Sequence, residues 1–234
     1  MRFLVLSDIH GDTGYIEMLD DEFAAADAVL FAGDFARDKE PETGMQILNT
    51  LVKKHDDIFA VIGNCDDPSF IEELEKLDVS VQGDMLFRDG LAFAGSGGAL
   101  RFTGTTANER SDDELVSDLS IVAEQESVEG MPDSDWNNLI LILHQPPFDT
   151  GTDKITAGIS TGSKTLRAFI EKHQPLLVVT GHIHESFATA KLGKTVLINP
   201  GSLAEGRYGI VEVEQDDAGV WTVSKCELKE LKGN

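Results

Sequence analysis

Cysteine is nearly absent: Cys65 and Cys226 are the only two in 234 residues. That excludes a small disulfide-stapled scaffold and a zinc module built on cysteine pairs, and each thiol is expected to be free. Basic residues are also scarce, 19 Lys and Arg against 42 Asp and Glu, for a formal net charge of −23. A surface so acidic repels nucleic acid and anionic membranes unless salt screens it, and it suits a solvated face adapted to high salt. No apolar run approaches the ~20 residues that span a bilayer. The first strand starts almost at once, which leaves no room for a signal peptide, so the expected location is the cytoplasm. Aromatic residues make up 7% of the chain and are scattered, without the stripe that stacks nucleobases.

What the chain does have is apolar content of 41% in short buried runs, enough for a sizeable core in a single domain spanning 1–234. Phe3–Leu6, Ala28–Ala32 and Ile58–Ile62 read as buried strands. Helical periods follow each of them, over 13–26, 41–54 and from Pro68 to about Leu77. This βαβαβα order predicts an α/β fold with a parallel sheet covered by helices. From Val79 the pattern shifts to short alternating strands, including Leu86–Phe87 and Leu91–Ala94. The polar, acidic stretch around 95–137, with helix over Asp112–Glu126, reads as an exposed, lid-like excursion. Leu139–Leu143 and Leu176–Thr180 are two more buried strands, separated by a helix over 162–173, and short strands near 186–191, 195–198, 207–214 and 219–227 complete the chain.

The apolar runs end in polar residues, and those residues carry the functional argument. Strand one runs into Ser7-Asp8-Ile9-His10, where Asp8 and His10, two apart in extended chain, face the same side. Strand two ends in Gly33-Asp34, strand three in Gly63-Asn64-Cys65-Asp66, the Leu139 strand in His144, and the Leu176 strand in Gly181-His182-Ile183-His184. The carboxyl ends of strands are where open α/β sheets bind ligands. Asp8, His10, Asp34, Asn64, His144, His182 and His184 form a mixed O and N donor set, too many for one ion and suited to two that share a bridging carboxylate, naturally Asp34.

In this order the motifs Asp8-x-His10, Gly33-Asp34, Gly63-Asn64, His144 and Gly181-His182-x-His184 resemble those of the calcineurin-like metallophosphoesterases, small phosphodiesterase branch. The resemblance implies a four-layer α-β-β-α sandwich of two mixed sheets. It implies one cation on Asp8, His10, Asp34 and His184 and a second on Asp34, Asn64, His144 and His182. Manganese is the expected ion, with nickel, iron, zinc or cobalt as alternatives, and Asp34, Asn64 and His144 take catalytic roles. Asn199-Pro200-Gly201-Ser202 resembles a loop of the same branch near the metals. The expected activity is hydrolysis of small phosphate esters by a hydroxide bridging the two ions. Two divalent ions outweigh the charges of Asp8 and Asp34, which gives an acidic protein one local well for an anion.

The chain departs from the family at two places. Cys65 stands where phosphatases of the family carry the His that protonates the leaving group, and a thiol with an ordinary pKa near ~8.5 is a poor substitute for imidazole. Arg37 and Asp38 do not reproduce a neighbouring family pattern, and Arg37 is given no catalytic role. The Cys65 departure favours a rival reading: a scaffold of the same fold that binds protein partners, as the retromer subunit does, with little or no catalysis. A nuclease like the family's repair exonucleases fits the acidic surface badly. A homo-oligomer is compatible with the sequence.

Other motifs dissolve on inspection. Gly158–Thr165 mimics a phosphate-binding Walker loop but has the wrong glycine spacing, and fits a helix start capped by Thr161 or Ser163. His184-Glu185-x-x-Ala188 lacks the second His of a zinc protease. Arg101 is a candidate phosphate contact or a plain turn residue, and His55 and His173 sit at helix ends as dipole partners.

Overall fold

The fold is given by a computed structural model that describes residues 1–126 and 136–231. In chain order its strands are β1 (Arg2–Leu6), β2 (Ala28–Phe31), β3 (Ile58–Ala60), β4 (Met85–Arg88), β5 (Leu91–Ser96), β6 (Ala99–Leu100), β7 (Glu109–Arg110), β8 (Leu139–Leu143), β9 (Leu177–Thr180), β10 (Ala188–Leu192), β11 (Thr195–Asn199), β12 (Arg207–Gln215) and β13 (Trp221–Glu230). The α-helices are α1 (Asp20–Ala25), α2 (Glu42–Lys54), α3 (Ile71–Lys76), α4 (Asp112–Ser117), α5 (Ser120–Glu126) and α6 (Lys164–His173). One sheet has the order β13-β12-β1-β2-β3, the other β10-β11-β9-β8-β5-β4. β1, β2 and β3 are mutually parallel, as are β5, β8, β9 and β11; β12, β13, β4 and β10 run antiparallel to their neighbours.

Alternation along the strands divides the buried apolar side chains among three layers. Leu4 and Leu6 pack outward with Phe23, Leu48, Leu51 and Leu74 of α1–α3. Phe3 and Val5 pack inward against Phe93, Ile140, Ile142 and Val179 of the second sheet, where Phe59 stacks on Phe93 with ring centroids 3.8 Å apart. Ala92, Leu139, Leu141 and Leu143 meet the outer helices through Leu115, Leu119, Leu166 and Ile170. Helices, sheet, sheet, helices: the four-layer sandwich expected from the motifs is the observed fold. Strands covered on both faces need no polar side, which is why β1, β2, β8 and β9 read as unbroken apolar runs.

Two expectations change. β5 does not alternate; it is buried throughout and parallel to β8, with Ala92 and Ala94 on one face and Phe93 on the other. The reading of 95–137 as an exposed, lid-like excursion is corrected for the helical residues 112–126 alone, since 101–107 form a largely exposed loop. α4 and α5 form part of the outer helical layer, with Leu115, Leu119 and Val122 fully buried against the second sheet. Asp113, Glu114 and Glu124 are exposed, and composition alone registered the acidic residues and not the narrow apolar stripe. α4 opens with a capping box, Ser111 with Glu114. Residues 127–135 of that stretch lie outside the described residues. Ser163, and not Thr161, caps α6, its hydroxyl accepting the Leu166 N–H at 3.0 Å.

Candidate metal centre

The seven candidate donors all follow the carboxyl ends of β1, β2, β3, β8 and β9. Beyond the strands, backbone bonding continues and sets the loops rigidly: Asp8 N–H donates to Gly33 O (2.9 Å), Ile9 and His10 N–H to Asp34 O (3.0 and 3.1 Å), and Gly11 N–H to Phe35 O (2.8 Å). Asp8, His10, Asp34 and His182 hold positive φ of 55°, 49°, 60° and 64°. That left-handed conformation is uncommon outside glycine, and here it turns four side chains of the set at a backbone cost typical of functional sites. Close approach of the loops depends on two glycines. A Cβ at Gly63 would collide with the Asp34 carboxylate, and one at Gly181 with Ser7 Oγ and Asp8 Oδ2.

Asp34 lies at the centre. Its Oδ2 is 3.8 Å from His10 Nε2 and 3.6 Å from His144 Nε2, while Oδ1 accepts the Cys65 N–H at 2.8 Å. On one side, His184 Nε2 is 3.1 Å from Asp8 Oδ1 and 3.2 Å from His10 Nε2. On the other, His144 Nε2 is 2.9 Å from Asn64 Oδ1. Ligand atoms of Asp8, His10 and His184, of Asp8, Asp34 and His144, and of His10, Asp34 and Cys65 each lie within 4.8 Å of one another. His182 is the outlier: its ring stands beside His144, centroids 5.3 Å apart, its backbone N–H donates to Asp8, and it belongs to none of those tight groups.

The donors fit cations. His144 Nδ1–H donates to Ala32 O at 2.6 Å and His10 Nδ1–H to Ala36 O at 3.3 Å. This is the usual backbone orientation of a metal-ligating imidazole, and it leaves Nε2 with a lone pair facing the site. Lone pairs of His144 Nε2 and Asn64 Oδ1 then oppose each other in a buried space, an arrangement a shared cation relieves. Donors that each sit about 2 Å from one ion stand about 3 Å apart, close to the spacing of His184 Nε2 from Asp8 Oδ1 (3.1 Å) and His10 Nε2 (3.2 Å), with Asp8 Oδ1 and His10 Nε2 3.8 Å apart.

Charge in the cluster follows from burial and neighbours. Burial, aided by the charge of Asp8, raises Asp34 to about 6. Burial also pushes Asp8 upward, but the hydrogen bond and charge of His184 with the charges of His144 and His10 prevail, and it falls below the ordinary carboxylate range. Burial works against the charged form of His184, yet Asp8 holds it to about 9. Burial lowers His144, and burial with the charge of His144 takes His182 to about 3. Burial, then the charge of Asp34, pushes the Cys65 thiol far up, so it does not furnish a thiolate.

The family profile of the calcineurin-like phosphoesterases matches residues 1–186. This chain belongs to that family. As a calcineurin-like phosphoesterase it comes from a metal-dependent class of hydrolases, and its cluster of Asp and His residues accords with that class. A protein of Methanocaldococcus jannaschii described as uncharacterised, MJ1162, is 27% identical over 206 residues, covering 86% of this chain and 88% of its own. The crystal structure of TT1561 from Thermus thermophilus superposes with a TM-score of 0.69 at 19% identity, covering 98% of both chains. A structure described as a novel archaeal phosphodiesterase superposes at 0.50 and 15% identity, covering 99% of this chain and 100% of that one. Both superpositions show the shared fold.

Several residues of this phosphoesterase gain roles that the sequence did not announce. The buried Asp66 carboxylate accepts N–H groups from Asp34 (3.1 Å), Phe35 (3.2 Å), Ala36 (2.7 Å) and Gly63 (2.8 Å), tying the β2 and β3 loops together. Ser7 Oγ donates to Asp8 Oδ2 at 2.5 Å and Ser202 Oγ to Asp8 O at 2.6 Å. Asn199 Nδ2 donates to Gly181 O (3.3 Å), Ile183 O (3.0 Å) and Thr152 O (3.2 Å), gripping the loop of His182 and His184. Only the neighbourhood of Asp66 to Asn64, and the likeness of the 199–202 loop, could have flagged them. Of the other candidates, Arg37 pairs with Glu40 and Arg101 with Glu114, both at the surface. His173 is buried and stacked on Phe169, and His55 faces Ala26 O through Nε2 at 3.1 Å.

Proposed function

We propose that this chain is a dinuclear metal-dependent phosphodiesterase that hydrolyses small phosphate esters. The observation that carries the reading is Asp34 Oδ2, placed between His10 Nε2 at 3.8 Å and His144 Nε2 at 3.6 Å, so that one carboxylate faces both halves of the donor set. Asp8, His10, Asp34 and His184 would hold one ion; Asp34, Asn64, His144 and His182 would hold the other. Manganese suits this mixture of imidazole, carboxylate and amide donors, with nickel, iron, zinc or cobalt as alternatives. When bound, such cations supply Lewis-acid charge to phosphoryl oxygens and make water a nucleophile at neutral pH.

The chain's own groups do the positioning. Cys65 N–H fixes Asp34 Oδ1, Ala32 O fixes the His144 ring, and Asn64 and His144 form the wall against which a phosphoryl group is oriented. Cys65 keeps its proton too firmly to assist an alkoxide leaving group, so esters with good leaving groups should react best. In a chain of net charge −23, the metal-loaded pocket is the local attraction for an anion, and the surrounding acidity argues against nucleic acid and anionic membranes as partners.

The test is hydrolysis of bis(p-nitrophenyl) phosphate by chelator-stripped protein before and after manganese is restored. Asp34→Asn and His144→Ala should each lower the restored rate by about a hundredfold or more, with the metal-free protein still folded and melting cooperatively. Full activity in both variants would refute the assignment. Full metal loading without hydrolysis would instead support the protein-binding scaffold that Cys65 favours.

A further inference from the structure

Three imidazoles of the donor set are oriented from behind in two different ways. His10 and His144 turn Nδ1 to backbone carbonyls, Ala36 O and Ala32 O. His184 has no such carbonyl on Nδ1 among the described residues; what faces that nitrogen is the Glu205 carboxylate, with Oε1 at 4.0 Å. Glu205 lies beyond residue 186, where the match to the family profile ends, so the family motifs do not account for it.

The backbone delivers Glu205 to this place. It ends a single 3-10 turn, Leu203–Glu205, that is pinned to the loop after β1. Ser202 Oγ donates to Asp8 O at 2.6 Å, Leu203 N–H to Ser7 O at 2.9 Å and Ala204 N–H to Asp8 O at 3.4 Å. Gly206 then reverses the chain at a φ of 81°, a left-handed turn in which a Cβ would crowd the Tyr15 ring. Arg207 thereby returns beside Glu205. Its Nη1 lies 2.8 Å from Glu205 Oε2 and donates to His184 O at 3.3 Å. Its Nε lies 3.7 Å from Glu230 Oε1, and the guanidinium 5.2 Å from the Phe187 ring centroid. One oxygen of Glu205 is thus held by an arginine that also grips the His184 backbone, while the other faces the His184 ring.

The gap to Nδ1 exceeds a hydrogen bond by about 1 Å, and there is room to close it. Glu205 is half exposed, and with His184, Glu185, Phe187 and Arg207 it lines a cavity of about 500 Å³. Glu185 shares that cavity, but among the described residues Glu205 is the glutamate that pairs with His184.

Resting on the dinuclear reading above, we propose that Glu205 is the positioning residue of His184. Its carboxylate accepts the Nδ1–H hydrogen bond, which fixes the ring with Nε2 toward Asp8 and His10 and makes that nitrogen a better donor to a cation. Arg207 keeps the carboxylate in place. The ion on the Asn64 and His144 side owes nothing to Glu205.

Manganese titrated calorimetrically into chelator-stripped protein tests this. Glu205→Gln should weaken one of the two ions by about tenfold or more and leave the other within about twofold. Glu185→Gln removes the same charge from the same cavity and should leave both unchanged. The hydrogen bond itself is read by magnetic resonance of zinc-loaded protein with isotope-labelled histidine. The His184 Nδ1–H signal, assigned by its loss in His184→Gln, should stand downfield in the wild type and move upfield in Glu205→Gln. Unchanged affinity in Glu205→Gln, equal weakening in Glu185→Gln, a loss spread over both ions, or a signal that does not move overturns the proposal. Two ions bound with no response to Glu205→Gln sinks this inference alone, whereas a wild type that binds no manganese sinks the dinuclear reading and the inference with it. A single bound ion would end the dinuclear reading, and its response to Glu205→Gln would still decide the role of Glu205.

Discussion

At the residue scale, the position of protons governs the cluster. Asp8 holds His184 to about 9 despite burial, so at pH 7.5 a cation that takes Nε2 must displace a proton. Manganese uptake at that pH should therefore release about one proton, read from the dependence of titration enthalpy on the ionisation heat of the buffer; uptake with no release would contradict the His184–Asp8 pairing. The same shift has a stability sign. A histidine raised above its ordinary value of ~6.5 stabilises the fold fully below that pH and loses its contribution as pH climbs through about 9. Metal-free protein should melt at progressively lower temperature across that interval, and His184→Gln should flatten the trend. Cys65, its thiol pushed up by burial and by Asp34, has no acid role to lose. Cys65→Ser should keep the rate on bis(p-nitrophenyl) phosphate within about threefold, and a much larger loss would show that sulfur takes part in the chemistry.

At the scale of elements, the site is as good as the loops that carry it. Asn199, buried at the end of β11, donates to three carbonyls and accepts Gly201 N–H at 2.9 Å. Asn199→Ala strands those groups in the interior. It should destabilise the protein by about 1–3 kcal/mol in denaturant melts, and weaken metal binding by about 10- to 100-fold even where the fold persists. Unchanged metal affinity would mean that the His182–His184 loop holds itself. The strands and their polar ends were legible because burial on both faces writes an unmistakable apolar run, and because Asp8, Asp34 and His144 follow those runs directly. Asp66, Ser7 and Ser202 were not, since their roles arise only when loops distant in sequence meet. The outer position of α4 and α5 was hidden for another reason: Leu115, Leu119 and Val122 are a thin stripe among acidic neighbours.

At the scale of the whole molecule, a charge of −23 on a chain of 234 residues works against compactness. Raising sodium chloride from about 0.05 to 0.5 M should raise the melting temperature of the metal-free protein, because added salt shortens the reach of surface repulsion; a fall would mean that the surface ion pairs outweigh the excess acidity. The two sheets also divide the donors between them. Asp8, His10, Asp34 and Asn64 follow strands of the five-stranded sheet, and His144, His182 and His184 follow strands of the six-stranded one. Each leaf of the sandwich thus carries part of the donor set, and an ion held as proposed would be the bolt thrown across both. Let one leaf slide past the other by a single residue and His144 and His184 would miss Asn64 and Asp8 together, so a chelator that strips a proposed ion should loosen the interleaf seam as well as the chemistry.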